Sequence, residues 1–367
     1  MKRVSALLVL FAINCLLLFA RVPDFFDFGD GSGFKYKFYR DEINGDRLEG
    51  HDDEVIFWGL DDRDNEIIEK MKTLKVLRVP ATMRPAPDDH SGVTFFTTTP
   101  PVYRVTGIGS HAFRELPALE EIVLAEGINN IHPYAMSGIP AKRINIPASM
   151  TSVYPGFFRG YDDKWEHVTV AKANPNYSSL DGLLYSKRQD TLWVCPQAHP
   201  GDVKLPASVK VVAEDAFNNA TKIGRVTLPE GIVSIGKGAF YDSSVTQVNI
   251  PGSLKTLPKH VLAQCKRLKQ VTIGEGVEVI GVGAFSCSYL ETVTLPSTIR
   301  ELGDEAFMLC DKVHDAYCKV LEPLSINMGK DCFRFVDLNK ITLHVPAEAV
   351  DTYRSLCQDM FADIVAM

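Results

Sequence analysis

Eight cysteines, nine histidines and a dense run of carboxylates are the side chains of this chain with the chemistry to ligate, oxidise or catalyse. Cys265, Cys287 and Cys310 each lie three residues before the first apolar residue of a recurring motif (Leu268, Leu290 and Val313), which predicts one stacked position. A small apolar thiol packs well in such a ladder. A disulfide is the alternative in an exported chain, and removing a leader that contains Cys15 leaves seven thiols, so one stays unpaired. No Cys-x-x-Cys pair occurs, and His260 and His314 have no spacing partner that would complete a zinc site. Asp52, Asp53, Glu54, Asp61, Asp62, Asp64 and Glu66 offer calcium-type oxygens. They lack the Gly and distal Glu of an EF-hand loop and read as a solvated cap and helix start. His-Glu-x-x-His, Gly-x-Ser-x-Gly and phosphate-cradling loops are absent, and the glycines of GVGAF (281 to 285) fall at a turn of the repeat. The sequence therefore points to no enzyme, no cofactor and no metal.

The elements that hold these side chains begin with an apolar run. Met1-Lys2-Arg3 precedes an apolar stretch from Ser5 to Ala20, broken by Asn14 and followed by Arg21. That is the layout of a secretory signal, 1–20, with cleavage after Ala20. About 16 residues is short for a span of roughly 20, so an uncleaved anchor is the second reading. Between Asp24 and Glu69 there are 15 Asp/Glu against 5 Lys/Arg, while the whole chain carries a net charge of −7. The remainder is balanced and has no basic stripe for a phosphate backbone, so nucleic acid is not an expected partner.

The repeat is the strongest signal. SIGKGAFYDSSVTQVNIPGSL, VIGVGAFSCSYLETVTLPSTI and GIGSHAFRELPALEEIVLAEGI share Ile-Gly-x-x-Ala-Phe followed by Leu-x-x-Val-x-Leu-Pro. The middle apolar residue falls at Ile122, Ile144, Val168, Val226, Val248, Val271, Val293, Ala316 and Ile341, with gaps of 22 to 25 residues except one of 58. That period lies in the leucine-rich repeat range of roughly 20 to 29. Alternation within Val-x-Leu predicts one short strand per coil, and the Pro at 229, 251 and 296 closes it. The Ala-Phe pairs at 112–113, 216–217, 239–240, 284–285 and 306–307 are expected to place an aromatic in the core opposite the strand.

These patterns predict an α+β repeat solenoid, curved, with one short parallel strand per coil and a cap at each end. The expected divisions are an acidic N-terminal cap region at 21–100, the solenoid at 101–346 and a C-terminal cap at 347–367. A helix is predicted over Asp61 to Leu74 with Ile67, Ile68, Met71 and Leu74 on one face, then a first strand in KVLRVP. The 58-residue gap holds an insert, 174–206, in which GLLYS and TLWVCP flank KRQD as a β-hairpin with a four-residue loop. The C-terminal segment offers a last strand and a short helix.

From Tyr103 onward the chain resembles the BspA-like leucine-rich repeat proteins of Bacteroidetes and some protist surfaces. The opening coil YRVTGIGSHAF, the insert NPNYSSLDGLLYSK and the closing VPAEAVDTYRS carry that resemblance, with departures in the Ala-Phe phase at Met136, Phe158 and Leu262. It implies a secreted or surface-exposed solenoid of the adhesion type, and it carries no catalytic residues with it.

Function then falls on the side chains that flank the middle apolar residue and face away from the core. The candidates are Arg143, Asn145, His167, Arg225, Asn249, Gln270, Thr272, Thr294, Asp315 and Tyr317, with His167, Asp315 and Tyr317 foremost. Such a face is polar and suits an extracellular protein or glycan. The leading expectation is an exported adhesion or protein-interaction module, with no membrane association beyond the signal segment. An envelope structural component, or a glycan-binding or glycan-processing accessory, is the alternative.

Overall fold

The computed structural model describes residues 25–27, 35–39, 54–60, 65–85, 102–109, 111–113, 116–132, 134–136, 138–153 and 164–367. The apolar run at 1–20 and most of the acidic segment, including Asp52, Asp53, Asp61, Asp62 and Asp64, lie outside them. The chain divides into two compact units, Met1–Pro140 with Ser152–Phe157, and Ala141–Thr151 with Phe158–Met367.

In the first unit, β1 (Phe25–Asp27), β2 (Lys35–Tyr39), β3 (Glu54–Leu60), β5 (Thr82–Pro85) and β6 (Tyr103–Ile108) form a mixed sheet in the order β3-β2-β1-β5-β6. β3 also pairs in parallel with β6, so the order closes on itself. β8 (Asn130–Ile131) adds to β6 in parallel. Helix α1 (Asn65–Thr73) follows β3, with Met71 buried on its inner face, and leads into β4 (Val76–Val79), the strand expected in KVLRVP. β4 pairs in parallel with β7 (Glu121–Leu124), register Leu77↔Ile122. Phe113, from the first Ala-Phe pair, packs on Phe57 of β3 with ring centroids 5.6 Å apart.

The second unit is a solenoid. β9 (Arg143–Ile146) and β10 (His167–Val170) pair in parallel. An antiparallel meander follows, β11 (Tyr177–Leu180), β12 (Leu183–Ser186) and β13 (Thr191–Val194). The loop 187–190 is the expected four-residue connection, and β11 is an additional strand joined through Asp181 and Gly182. Asn174, fully buried, starts the insert: its amide donates to Pro147 O at 2.8 Å and Met150 O at 2.9 Å, and its Oδ1 accepts from the Asn176 and Tyr177 N–H groups. A buried amide with all these groups matched avoids the desolvation cost of an orphaned one.

From Gly201 the coils are regular. The main sheet runs β14 (Gly201–Lys204), β16 (Ile223–Thr227), β18 (Gln247–Ile250), β20 (Gln270–Ile273), β22 (Thr292–Leu295), β24 (Asp315–Cys318), β26 (Thr342–Val345) and β27 (Asp363–Ala366), with each adjacent pair parallel. Opposite it lie two-residue strands. β15 (Val211–Val212) and β17 (Ser234–Ile235) continue from β13, and β19 (Thr256–Leu257), β21 (Val279–Ile280), β23 (Glu301–Leu302) and β25 (Asn327–Met328) form a second ladder. The 58-residue gap thus contains one main-sheet strand, centred on Val203 and in register with Val226.

A third line of bonds runs through the Ala-Phe turns. The N–H of Phe217 donates to Ala239 O at 2.7 Å, that of Phe285 to Ala306 O at 2.9 Å and that of Phe307 to Cys332 O at 2.9 Å. Residues two before and two after each Phe are left-handed, as with Asp215 and Asn219 (both φ 55) around Phe217, or Glu305 (56) and Leu309 (60) around Phe307. The paired reversals aim each Phe inward. Phe217 and Phe240 stack at 4.6 Å, and Phe285, Phe307 and Phe333 stack at 5.2 and 5.6 Å. The repeat's Ile-Gly step brings backbones close: a Cβ on Gly281 would stand 2.6 Å from Leu257 O.

Two local expectations need correction. Cys265 and Cys310 are fully buried in one ladder, but Cys287 is half-buried at φ 58 and outside it. That coil is one residue shorter between Phe and strand, so Ser288 takes the ladder position. Ser288 Oγ lies 3.5 Å from Cys310 Sγ, as Ser243 Oγ does from Cys265 Sγ. All seven cysteines of the described residues are free thiols. The last coil is also displaced: a 3-10 turn at Leu338–Lys340 lengthens it, and the residue in register with Ala316 is Leu343, not Ile341.

Candidate functional site

The main sheet presents two rows of side chains on its outer face, because alternate residues of each strand point away from the core. The first row is Arg225, Gln247, Gln270, Thr292, Asp315 and Thr342, each the cross-strand partner of the next. The second is Thr227, Asn249, Thr272, Thr294, Tyr317 and His344. None of the twelve is buried, whereas Val226, Val248, Val271 and Val293 between them are. Seven of the sequence candidates stand here together: Arg225, Asn249, Gln270, Thr272, Thr294, Asp315 and Tyr317.

The other three stand elsewhere. Arg143 and Asn145 are on β9, and His167 on β10 pairs with Arg143. The β9–β10 ladder does not continue into β14. Instead the Val168 N–H donates to Gly182 O at 2.8 Å, so the meander's turn occupies that edge of β10. Gly182 has φ +82, and a Cβ there would fall 2.2 Å from His167 Nδ1. His167 is therefore roofed, with the His199 ring edge-on at 5.9 Å, and it does not join the open face.

Near the C-terminal end of the main sheet the rows converge on a cluster. Asp315 Oδ1 accepts from His344 Nε2 at 2.7 Å, and Oδ2 accepts from His314 Nδ1 at 2.8 Å. A carboxylate can only accept, so each of those ring nitrogens carries its proton. His344 first, and His314 after it, hold the Asp315 carboxyl below the usual carboxylate range. The His344 ring stacks on Tyr317, centroids 4.2 Å apart and planes 11° from parallel. Asp315 thus orients His344, and His344 orients Tyr317. At the far end, the Arg225 backbone N–H donates to Asp202 Oδ1 at 2.7 Å.

His344 escapes a count of the repeat that takes Ile341 as the middle residue. The signal is nevertheless present: Leu343-x-Val345 ends on Pro346, as the strands before Pro229, Pro251 and Pro296 do. Among the described residues no group of three His, Cys, Asp or Glu is arranged to hold a metal ion, and no helix is long and apolar enough to cross a membrane.

The BspA type leucine rich repeat region matches this sequence in six copies, over residues 96–178 and 200–314. The chain belongs to that family. The residues left between the two matched stretches of this BspA-type chain, 179–199, hold β12 and β13, so the meander is where it departs from the repeat. No curated protein matches the sequence. Among solved structures, it is similar to a leucine-rich repeat protein from Eubacterium ventriosum, with 18% identity, 83% of this chain and 92% of that chain covered, and a TM-score of 0.47. A leucine rich cell surface protein from Faecalibacterium prausnitzii gives 17%, 81%, 95% and 0.45. The pneumococcal vaccine antigen PcpA gives 16%, 95%, 99% and 0.45.

Proposed function

We propose that this BspA-type chain is exported and acts, at a cell surface or in the medium, as an adhesion or interaction module whose contact surface is the outer face of the main sheet. The observation that carries this reading is the pair of in-register polar rows across six consecutive coils, with no buried member. A repeat sheet of this kind spreads modest contacts over a long surface, and affinity comes from their sum together with a few anchoring residues. The N-terminal apolar run after Met1-Lys2-Arg3 supports export, and membership in the family is consistent with a binding scaffold.

The test is a solid-phase binding assay of the full chain against a panel of extracellular matrix proteins and glycans, beside a variant carrying Asp315→Ala and Tyr317→Ala. Saturable binding that the folded variant loses supports the sheet face. Binding that the variant retains moves the contact to the insert or the N-terminal unit. Self-association without any foreign ligand would favour an envelope component instead.

A further inference from the structure

The outer face of the main sheet is not uniform. Over β20 and β22 both rows are neutral and short or flexible: Gln270, Thr272, Thr292 and Thr294, with Gln270 and Thr272 exposed and the two others half-buried. One strand further on, Tyr317 rises beside Thr294 as its cross-strand partner. Parallel strands lie about 4.8 Å apart. A ring stacked at 4.2 Å and 11° on His344 of the following strand must therefore stand nearly perpendicular to the line of coils. One face of Tyr317 is spent on His344. The cross-strand neighbour on its other side is the shorter Thr294, and Tyr317 is only half-buried, so a polar floor meets an aromatic wall.

We propose that this floor and wall take a neutral oligosaccharide, with one pyranose face against the free side of Tyr317 and its hydroxyls on Gln270, Thr272, Thr292 and Thr294. This rests on the reading of the sheet as the contact surface and names its ligand class. Charge decides against anionic glycans and phosphate esters. None of the four floor residues ionises, Lys269 beside Gln270 is paired with Glu291 at 2.8 Å, and the Asp315 carboxylate at the wall repels an anion even though both its oxygens already accept from histidines. A protein epitope is disfavoured because its strongest contacts come from aromatic, Met and Arg anchors in desolvated pockets, and the floor has none of these. Amides and hydroxyls buried by a ligand need a partner equally dense in hydrogen-bonding groups. Sugar hydroxyls supply that density, and the C–H face of the ring meets the negative face of the aromatic.

Isothermal titration of the full chain tests this with cellohexaose, maltohexaose and a desialylated N-glycan as neutral probes, and with heparin hexasaccharide and a sialylated N-glycan as anionic ones. At least one neutral probe is expected to bind saturably in preference to the anionic ones. Tyr317→Ala should weaken it at least about tenfold, and Tyr317→Phe, which keeps the ring, by far less. Thermal melts of both variants check that the fold is kept. The proposal is overturned if no neutral probe binds, if the anionic probes bind better, or if Tyr317→Ala binds as the parent does. If a matrix protein binds through Tyr317 while every sugar fails, the ligand class is wrong and the adhesion reading stands. If proteins and sugars all fail, both fall together.

Discussion

His344 Nε2 lies 2.7 Å from Asp315 Oδ1, an interaction between adjacent strands 29 residues apart in sequence. Together with the bond from His314 it keeps Asp315 ionised below the usual carboxylate range. A carboxyl whose folded pKa is depressed contributes stability above its unfolded pKa, near 3.9, and loses that contribution as pH falls through the lower folded value. The contribution is small, because the Asp315 side chain is 33% exposed and screened by water. Thermal melts of the parent and Asp315→Asn should therefore show a gap at pH 6 that narrows by pH 3. A gap that is constant, or that widens toward acid, would contradict this account of the cluster.

The phenylalanine column carries a larger share of stability. Phe285 is fully buried and stacks on Phe307 at 5.2 Å, while Phe335, two residues beyond Phe333, is 63% exposed. Truncating a buried Phe leaves a cavity that neighbouring coils cannot fill, so Phe285→Ala should cost about 3 to 5 kcal/mol in urea unfolding. Phe335→Ala, which removes a contact with the Arg334 guanidinium 4.7 Å from the ring centroid, should cost no more than about 1 kcal/mol. Equal costs at the two positions would mean that the column is not the core's main support.

Thiol chemistry separates the ladder from the surface. Burial pushes the Cys265 thiol up to about 12 and those of Cys310 and Cys332 up to about 11. The thiolate is the nucleophile, so these three should resist alkylation in the native state. With iodoacetamide at pH 8, peptide mass spectrometry should find Cys287 labelled first and Cys265, Cys310 and Cys332 labelled only after unfolding. Labelling of Cys265 at the rate of Cys287 would show that the ladder opens.

What the sequence disclosed, and what it hid, follows from where the repeat keeps its length. The Ala-Phe phase and the Val-x-Leu strand recur almost without gaps, so Phe217, Phe285 and Val271 were legible as core and Gln270 and Thr272 as face. Errors came where a coil gains or loses a residue. One residue fewer after Phe285 moves Cys287 out of the ladder, and the turn at Leu338–Lys340 moves the last strand to Leu343, which hid His344 beside Tyr317. The Cys332-Phe333 pair continues the Ala-Phe phase with Cys in place of Ala, and its lead of Gly329-x-x was a usable signal. Roofing of His167 was not legible. It depends on the antiparallel fold-back of β11 on β12, a long-range outcome that places Gly182 over a ring 15 residues earlier.

The most direct test of the sheet face as the contact surface is to crowd its middle without touching the core. A full chain carrying Thr272→Arg and Thr294→Arg puts two long cations on adjacent strands, at positions that are exposed and half-buried respectively. Its binding to the ligand identified for the parent is then measured beside the parent's, with a thermal melt of each. An unchanged fold with loss of saturable binding is expected, and a folded variant that binds with the parent's affinity would show that the contact surface is not this face.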